Sequence, residues 1–375
     1  MALAPTLEQP HRVIGIDVAR GVASLIMIQG HAYHAWVSPE AKQGAGYAFT
    51  RLLGTLPLPA FLVLAGAAVM LRVQSAERRQ ESASKVRGQL IRRGFEVILW
   101  GYGTNVAYAL MDGWQSAWTF LRADVLHVIG LGIVLLAASG VRAGRGSDAV
   151  DSSRLWKAAA GWGVGLTLLS PLVNGWVLQT PEPGGLGWVG WPLAALVLDV
   201  PSVTVMPLVP LGTWSCVGVV VAAAMARSRR ESGGAMVAGA GSPFLLALGA
   251  SSLVLSWLGS EVTAQLWGAG LSRSDIGIYV NVIDFGARGT LVLACAAGAS
   301  SWLPERVRRV LVTLGQGSLY AYVFHIPFCY GAWGGRWRGS LSMMEASLGV
   351  IALSAASLLV VYMHRSVKRY GRASD

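Results

Sequence analysis

Residues 13–37 read VIGIDVARGVASLIMIQGHAYHAWV, and this run decides the fold. A helix needs about 20 mostly apolar residues to cross the hydrocarbon core of a bilayer, and the run is long enough. It is too long for the apolar core of a cleavable signal peptide, and it carries Asp17 and Arg20. Its polar residues are ordered along the helix. At about 100° per residue, Asp17, Arg20, Ser24, Met27, His31 and His34 fall in one stripe roughly 100° wide. Polar side chains at membrane depth turn toward the interior of a bundle. Asp17 and Arg20, three residues apart, can pair on one face. Such a pair either fixes the helix in its bundle or frames a site.

Working outward from this helix, the composition extends the membrane reading to the whole chain. Of 375 residues, 54% are hydrophobic and 13% charged, and the mean hydropathy is +0.52. Soluble domains carry about 25% charged residues, so a soluble fold is excluded. The net charge of +11 comes from short basic clusters between apolar runs, which suits a membrane interface and not a nucleic-acid groove. The 47 glycines and 15 tryptophans fit close helix packing and lipid–water boundaries. Cys216, Cys295 and Cys329 lie in apolar stretches and read as buried thiols.

Ten segments have the length of a span: Val13–Val37, Leu52–Leu71, Gly94–Met111, Ala123–Gly140, Leu155–Leu178, Pro207–Ala226, Pro243–Ser260, Tyr279–Leu303, Val310–Trp333 and Leu341–His364. The stretch Gly187–Val205, interrupted by Pro192, Asp199 and Pro201, reads as interfacial or re-entrant. With both termini in the cytoplasm, 22 of the 30 Lys and Arg fall on the inner side, seven of them in the loop from Arg72 to Arg93. Six fall outside, which is a strong positive-inside bias. The expectation is an all-α, polytopic membrane bundle of about ten helices. Residues 1–12 form a cytoplasmic tail, 13–364 one transmembrane domain, and 365–375 a basic cytoplasmic tail. No inverted repeat relates the halves, which weakens a secondary-transporter reading.

Ionisable residues inside a membrane cost about 2.5–3.5 kcal/mol each on insertion scales, so they point to function or to structural pairs. His31 and His34 lie roughly 20–27 Å beyond Asp17 along their helix at about 1.5 Å per residue. His127, with Asp124 one turn before it, and His325, on a face with Gly315, Ser318, Tyr322 and Cys329, also fall in the outer half. His11 and His364 fall at the inner interface and are expected to be solvated. The outer histidines suit general acid–base chemistry, a proton relay in a transporter or a zinc site, but no ligand spacing supports a metal. Asp284 and Arg288, four residues apart, read as an internal pair, with Asn281 on the same face. Glu96 and Asn105 are further candidates for the interior. Arg92 and Arg93, at the mouth of the third span, could grip phosphates.

Several stretches carry a family resemblance. Arg12-Val-Ile-Gly-Ile-Asp17-Val-Ala-Arg20-Gly21, with the apolar run to His31, resembles the opening of bacterial membrane proteins similar to heparan-alpha-glucosaminide N-acetyltransferase. More broadly it resembles transmembrane acyltransferases, whose acyltransferase-3 members carry an arginine and then a histidine along the first helix. Phe49-Thr-Arg51 through Leu58-Pro59 to Gly66, Arg92-Arg93-Gly94-Phe95-Glu96, Val125-Leu126-His127-Val-Ile129-Gly130 and Leu314-Gly315-Gln-Gly-Ser318 through Tyr320 to His325 are similar to later pieces, in order. Pro207-Leu-Val-Pro210-Leu-Gly212 is a weaker match. In the animal lysosomal enzyme the catalytic histidine follows the first helix. Here Trp36–Thr50 contains none, so the resemblance puts that role on His31.

The resemblance implies transfer of an acyl group, acetyl above all, from cytoplasmic acyl-CoA to a hydroxyl or amine of a glycan-like acceptor at the outer face. His31, assisted by His34 or His325, is the expected catalytic base. Arg20, Arg92 and Arg93 are expected to bind the CoA phosphates. Asp17, Asp284, Arg288 and His127 are supporting residues. Acetyl-CoA or another acyl-CoA is a donor substrate, and no permanent cofactor, metal or nucleic acid is expected. Trp188 and Trp191 could stack on sugar rings, though tryptophan is common at membrane interfaces anyway. Membrane lipid surrounds the bundle, a homodimer is left open, and the expected location is the bacterial plasma membrane. The alternative function is a proton-coupled transporter or flippase of a small or lipid-linked substrate.

Overall fold

A computed structural model describes residues 13–112, 122–179, 196–198, 206–231, 243–270 and 275–373. Most of the stretch Gly187–Val205, with Trp188 and Trp191, lies outside the described residues, as does His11. The described chain is helical, and its only β-type pairs are isolated bridges. In chain order the helices are α1 (Ile14–Trp36), α2 (Ala45–Gly54), α3 (Pro57–Arg78), α4 (Ala83–Asp112), α5 (Val125–Gly140) and α6 (Ser152–Gln179). They continue as α7 (Leu208–Glu231), α8 (Pro243–Gly268), α9 (Asp275–Ala299), α10 (Glu305–Gln316), α11 (Ser318–Cys329) and α12 (Met343–Ala373). Five helical stretches are long and apolar enough to cross a membrane: Ala45–Arg78, Leu208–Ser228, Pro243–Gly268, Ile276–Ala299 and Met343–Val367.

The first helix is the hub of the bundle. It packs on α2, α3, α9, α10, α11 and α12, so its polar stripe has no lipid to face. Asp17, Ser24 and Met27 are buried, Arg20 and His31 half-buried, and only His34 at the far end is exposed. Glycine permits the closest of these contacts. A Cβ on Gly315 of α10 would collide with the Asp17 carbonyl of α1, and one on Gly21 with the Leu311 carbonyl. Gly66 and Gly218 do the same for α3 and α7. Small residues at crossings are how membrane helices gain dispersion contact where apolar burial gives no advantage over lipid.

The helices depart from the sequence expectation in four places. The 72–93 loop is mostly helix: α3 runs on to Arg78 and α4 starts at Ala83, leaving a short turn between. Charged side chains do not stop a helix that has left the hydrocarbon. That turn is knitted to the segment before α6. Arg72 donates to Glu81 at 3.2 and 2.8 Å and to Gln89 at 2.7 Å, while Glu77 accepts from the Ser152 amide and hydroxyl. The Arg72 guanidinium holds the Glu81 carboxyl below its usual range. The expected span Leu52–Leu71 begins only at Pro57, because the preceding residues close α2 with a turn at Thr55. The expected span Val310–Trp333 is two helices, broken at Gly317, whose bare backbone lies against Val361. The last expected span, Leu341–His364, runs on as helix through the basic stretch from Arg365 to Ala373.

Candidate functional site

The polar stripe of α1 meets the α11 face at His325. Nδ1 of His31 lies 2.8 Å from Nε2 of His325, although 294 residues separate them in sequence. His325 is fully buried, and its Nδ1 lies 2.8 Å from the Ala321 carbonyl one turn back on α11. Tyr330, just past the end of α11, sets its ring edge-on to His31, with centroids 5.5 Å apart. Its hydroxyl lies 3.1 Å from Nδ1 of His34. The structure thus brings His31, His325 and His34 together, with Tyr330 as the link to His34.

A second cluster adjoins the first. Asp124 caps α5: its Oδ1 accepts from the Leu126 amide at 3.0 Å and lies 2.9 Å from Nδ1 of His127. Oδ2 of Asp124 accepts from the Tyr322 hydroxyl at 3.2 Å, and the Tyr322 ring lies edge-on to His325. His127 is wholly buried against Tyr102, and a Cβ on Gly101 would strike its ring. A reciprocal cap explains this histidine. Its Nε2, however, is buried without a hydrogen-bond partner among the described residues.

At the C-terminal end of α1, Lys42 donates to the His34 carbonyl at 2.7 Å and lies over the Tyr47 ring. Trp36 anchors the end of the helix by donating to the Phe328 carbonyl at 3.0 Å. Among the described residues no group of three or more His, Cys, Asp or Glu could hold a metal ion.

The remaining expected residues lie elsewhere. Asp17 accepts from Gln316 of α10 at 3.1 Å, and the Arg20 guanidinium reaches the Leu64 carbonyl of α3. Asp284 and Arg288 of α9 form a buried two-point ion pair, at 2.9 and 2.6 Å. Arg288 also donates to Thr55 and Ser260, while Ser256 donates to Asp284. None of these contacts reaches the imidazoles. Arg92 and Arg93 are exposed and both bind Glu96. On the α4 wheel Arg92 points away from the packed face of Gly94 and Ile98, whereas Arg93 shares a flank with Trp100. Asn105 is buried and donates to the Arg122 carbonyl.

Tyr330, Asp124 as a cap and the Ala321 carbonyl escape a sequence reading, because each acts through a contact across the fold or through the backbone. Tyr322 and His325 were visible as one face of a helix. His364 differs from expectation: it is half-buried with its ring tilted against Tyr320, centroids 3.9 Å apart, and its Nε2 is buried without a hydrogen-bond partner among the described residues. Tyr320 in turn meets Trp100 of α4.

Fold and site together define an all-helical integral membrane protein with a hydrogen-bonded imidazole pair, one ring buried and one half-buried, between its helices. The family model for the catalytic domain of heparan-alpha-glucosaminide N-acetyltransferase matches residues 12–259, well over half of the chain. The protein belongs to that family, which makes it a membrane acetyltransferase by class. Among the candidate residues, the match takes in Asp17, Arg20, His31, His34, Arg92, Arg93 and His127; Asp284, Arg288 and His325 lie beyond it. No protein with a curated description matches the chain.

Proposed function

We propose that the protein transfers an acetyl group from acetyl-CoA to a hydroxyl or amine of a glycan-like acceptor, with His31 as the base. The observation that carries this reading is the His31–His325 contact inside a chain of acetyltransferase family. Neutral imidazole suits proton abstraction near neutral pH. In the proposed orientation both termini are cytoplasmic, the basic ends of the helices face the cytoplasm, and the histidines open to the outer side of a bacterial plasma membrane. The positive-inside bias supports it. Direct transfer and an acetyl-histidine intermediate are both compatible with this geometry.

The donor phosphates would bind among the basic residues, with Arg93 the better placed of the α4 pair. It stands on the flank that two turns further on carries Trp100 toward Tyr320 and His364. Arg20, on the stripe between that end and His31, would lie along the path of the thioester arm. His127, Asp17 and the Asp284–Arg288 pair support the bundle. Calorimetry of acetyl-CoA binding to the detergent-purified protein tests the donor side. Binding that weakens in Arg93→Ala more than in Arg92→Ala is expected. Folded protein that binds no acetyl-CoA, but carries a substrate in a flux that depends on the proton gradient, would replace this reading with a transporter.

A further inference from the structure

The hydrogen bonds around His325 carry information about protons that the distances alone do not state. The Ala321 carbonyl can only accept, so Nδ1 of His325, 2.8 Å away, must carry a hydrogen. His325 is fully buried, and no carboxylate among the described residues touches it. A cation sealed there would have no counter-charge in contact, so the ring is held neutral. In a neutral imidazole the second nitrogen is an acceptor, and Nε2 of His325 therefore receives a proton from Nδ1 of His31 at 2.8 Å.

The ring geometry agrees. The two planes are within 10° of parallel, and the 5.1 Å between centroids is the nitrogen–nitrogen distance plus one ring radius at each end. The rings thus lie edge to edge, not face to face. Imidazole lone pairs lie in the ring plane, so this is the arrangement in which an N–H of one ring points along the lone pair of the other. Nε2 of His31 has no hydrogen-bond partner among the described residues, and its ring is only half-buried.

We infer that the Ala321 carbonyl, acting through His325, fixes His31 in the tautomer protonated at Nδ1, leaving Nε2 as the one basic nitrogen offered to the acceptor. His325 is a positioning residue and does not touch substrate. The inference deepens the acetyltransferase reading and rests on it for its chemistry. In that chemistry Nε2 of His31 takes the proton from the acceptor oxygen or nitrogen as that atom bonds to the thioester carbon. The carbon–sulfur bond breaks, and the departing thiolate receives the same proton back from Nε2. Between those events His31 is an imidazolium whose Nδ1–H remains bonded to His325, so the positive charge forms against a dipole already oriented to meet it.

The test is nitrogen NMR of the full-length protein labelled with 15N-histidine in detergent, with His31→Ala and His325→Phe variants to assign signals. His31 should show a pyrrole-type Nδ1 and a pyridine-type Nε2, and His325 the same pattern. In His325→Phe, which keeps a ring but loses the acceptor, the His31 signals should average between tautomers. kcat should then fall about tenfold or more, a share of what a general base supplies, with KM for acetyl-CoA unchanged. His325→Asn, which can still accept, should recover part of the loss. A wild-type His31 protonated at Nε2, or at both nitrogens, would overturn the assignment whatever the activity. Full kcat in a folded His325→Phe would overturn the positioning role. The assigned tautomers in a protein that consumes no acetyl-CoA would uphold the assignment and remove the acetyltransferase reading instead.

Discussion

Two of the polar clusters within this helical bundle, Asp284–Arg288 and His31–His325, are built on opposite rules. At Asp284 and Arg288 the contacts are closed: a two-point ion pair, two hydroxyls accepting from the guanidinium, one donating to the carboxylate, and the Phe285 ring 4.8 Å from the guanidinium carbon. At His31 and His325 the chain of hydrogen bonds ends in a nitrogen with no described partner. A closed cluster fixes helices, because every desolvated group is repaid by a contact. An open one leaves a nitrogen available for chemistry. The sequence offers both as ionisable residues on helix faces and does not separate them.

The sharpest way to break the comparison is to open the closed cluster. Arg288→Met leaves the Asp284 carboxylate buried with only Ser256 to satisfy it, and should destabilise the fold by about 3–5 kcal/mol, read as a fall in the thermal midpoint in detergent. The double change Asp284→Leu with Arg288→Met removes both charges and should recover much of that loss. If the single variant keeps its midpoint but loses transfer, the pair belongs to the site and not to the scaffold. A smaller effect is expected at the α1–α10 crossing. Gly315→Ala forces a methyl onto the Asp17 carbonyl, where only backbone can move, and overpacking of this kind costs about 1–3 kcal/mol. Midpoints equal to wild type would mean the two helices do not approach as closely as described.

How much of this was legible beforehand differs between the clusters for physical reasons. The α1 stripe was readable because helical periodicity puts Asp17, Arg20, Ser24, Met27, His31 and His34 on one face whatever they meet. The Asp284–Arg288 pair was readable because both partners share a helix. The contact of His31 with His325 was not, since no local rule brings residues of α1 and α11 to hydrogen-bonding distance. Which way Arg92 and Arg93 face was not legible either; Gly94 and Ile98 take the packed face of α4 and leave both arginines exposed beside Glu96. The break at Gly317 escaped because the apolar run continues through it, and His364 was read as solvated because nothing local announces Tyr320 above it.

Two smaller predictions sharpen the open cluster and the turn between α3 and α4. Tyr330→Phe removes the hydroxyl that touches His34 while leaving the ring against His31, and a lost hydrogen bond of about 1 kcal/mol should lower kcat only a few-fold. A loss as large as that of a His31 variant would move Tyr330 into the proton-transfer machinery. At the basic end, Glu81 is held below its usual range by Arg72, so its contribution is present above the unfolded carboxylate range and lost as pH falls through the folded value. Glu81→Gln should therefore cost roughly 0.5 kcal/mol near neutral pH and nothing in acid, seen as wild-type and variant midpoints that converge on acidification. Midpoints that stay parallel down to acid would show that the Arg72 contact contributes no pH-linked stability.

The most direct measurement is transfer of labelled acetyl from acetyl-CoA to an amino-sugar acceptor by the purified protein in liposomes, with His31→Ala beside wild type and imidazole added to each. The account predicts transfer by wild type, a loss of about 10²–10⁴-fold in the still-folded variant, and partial recovery when imidazole fills the space left by the ring. A His31→Ala protein that transfers acetyl at the wild-type rate would contradict it.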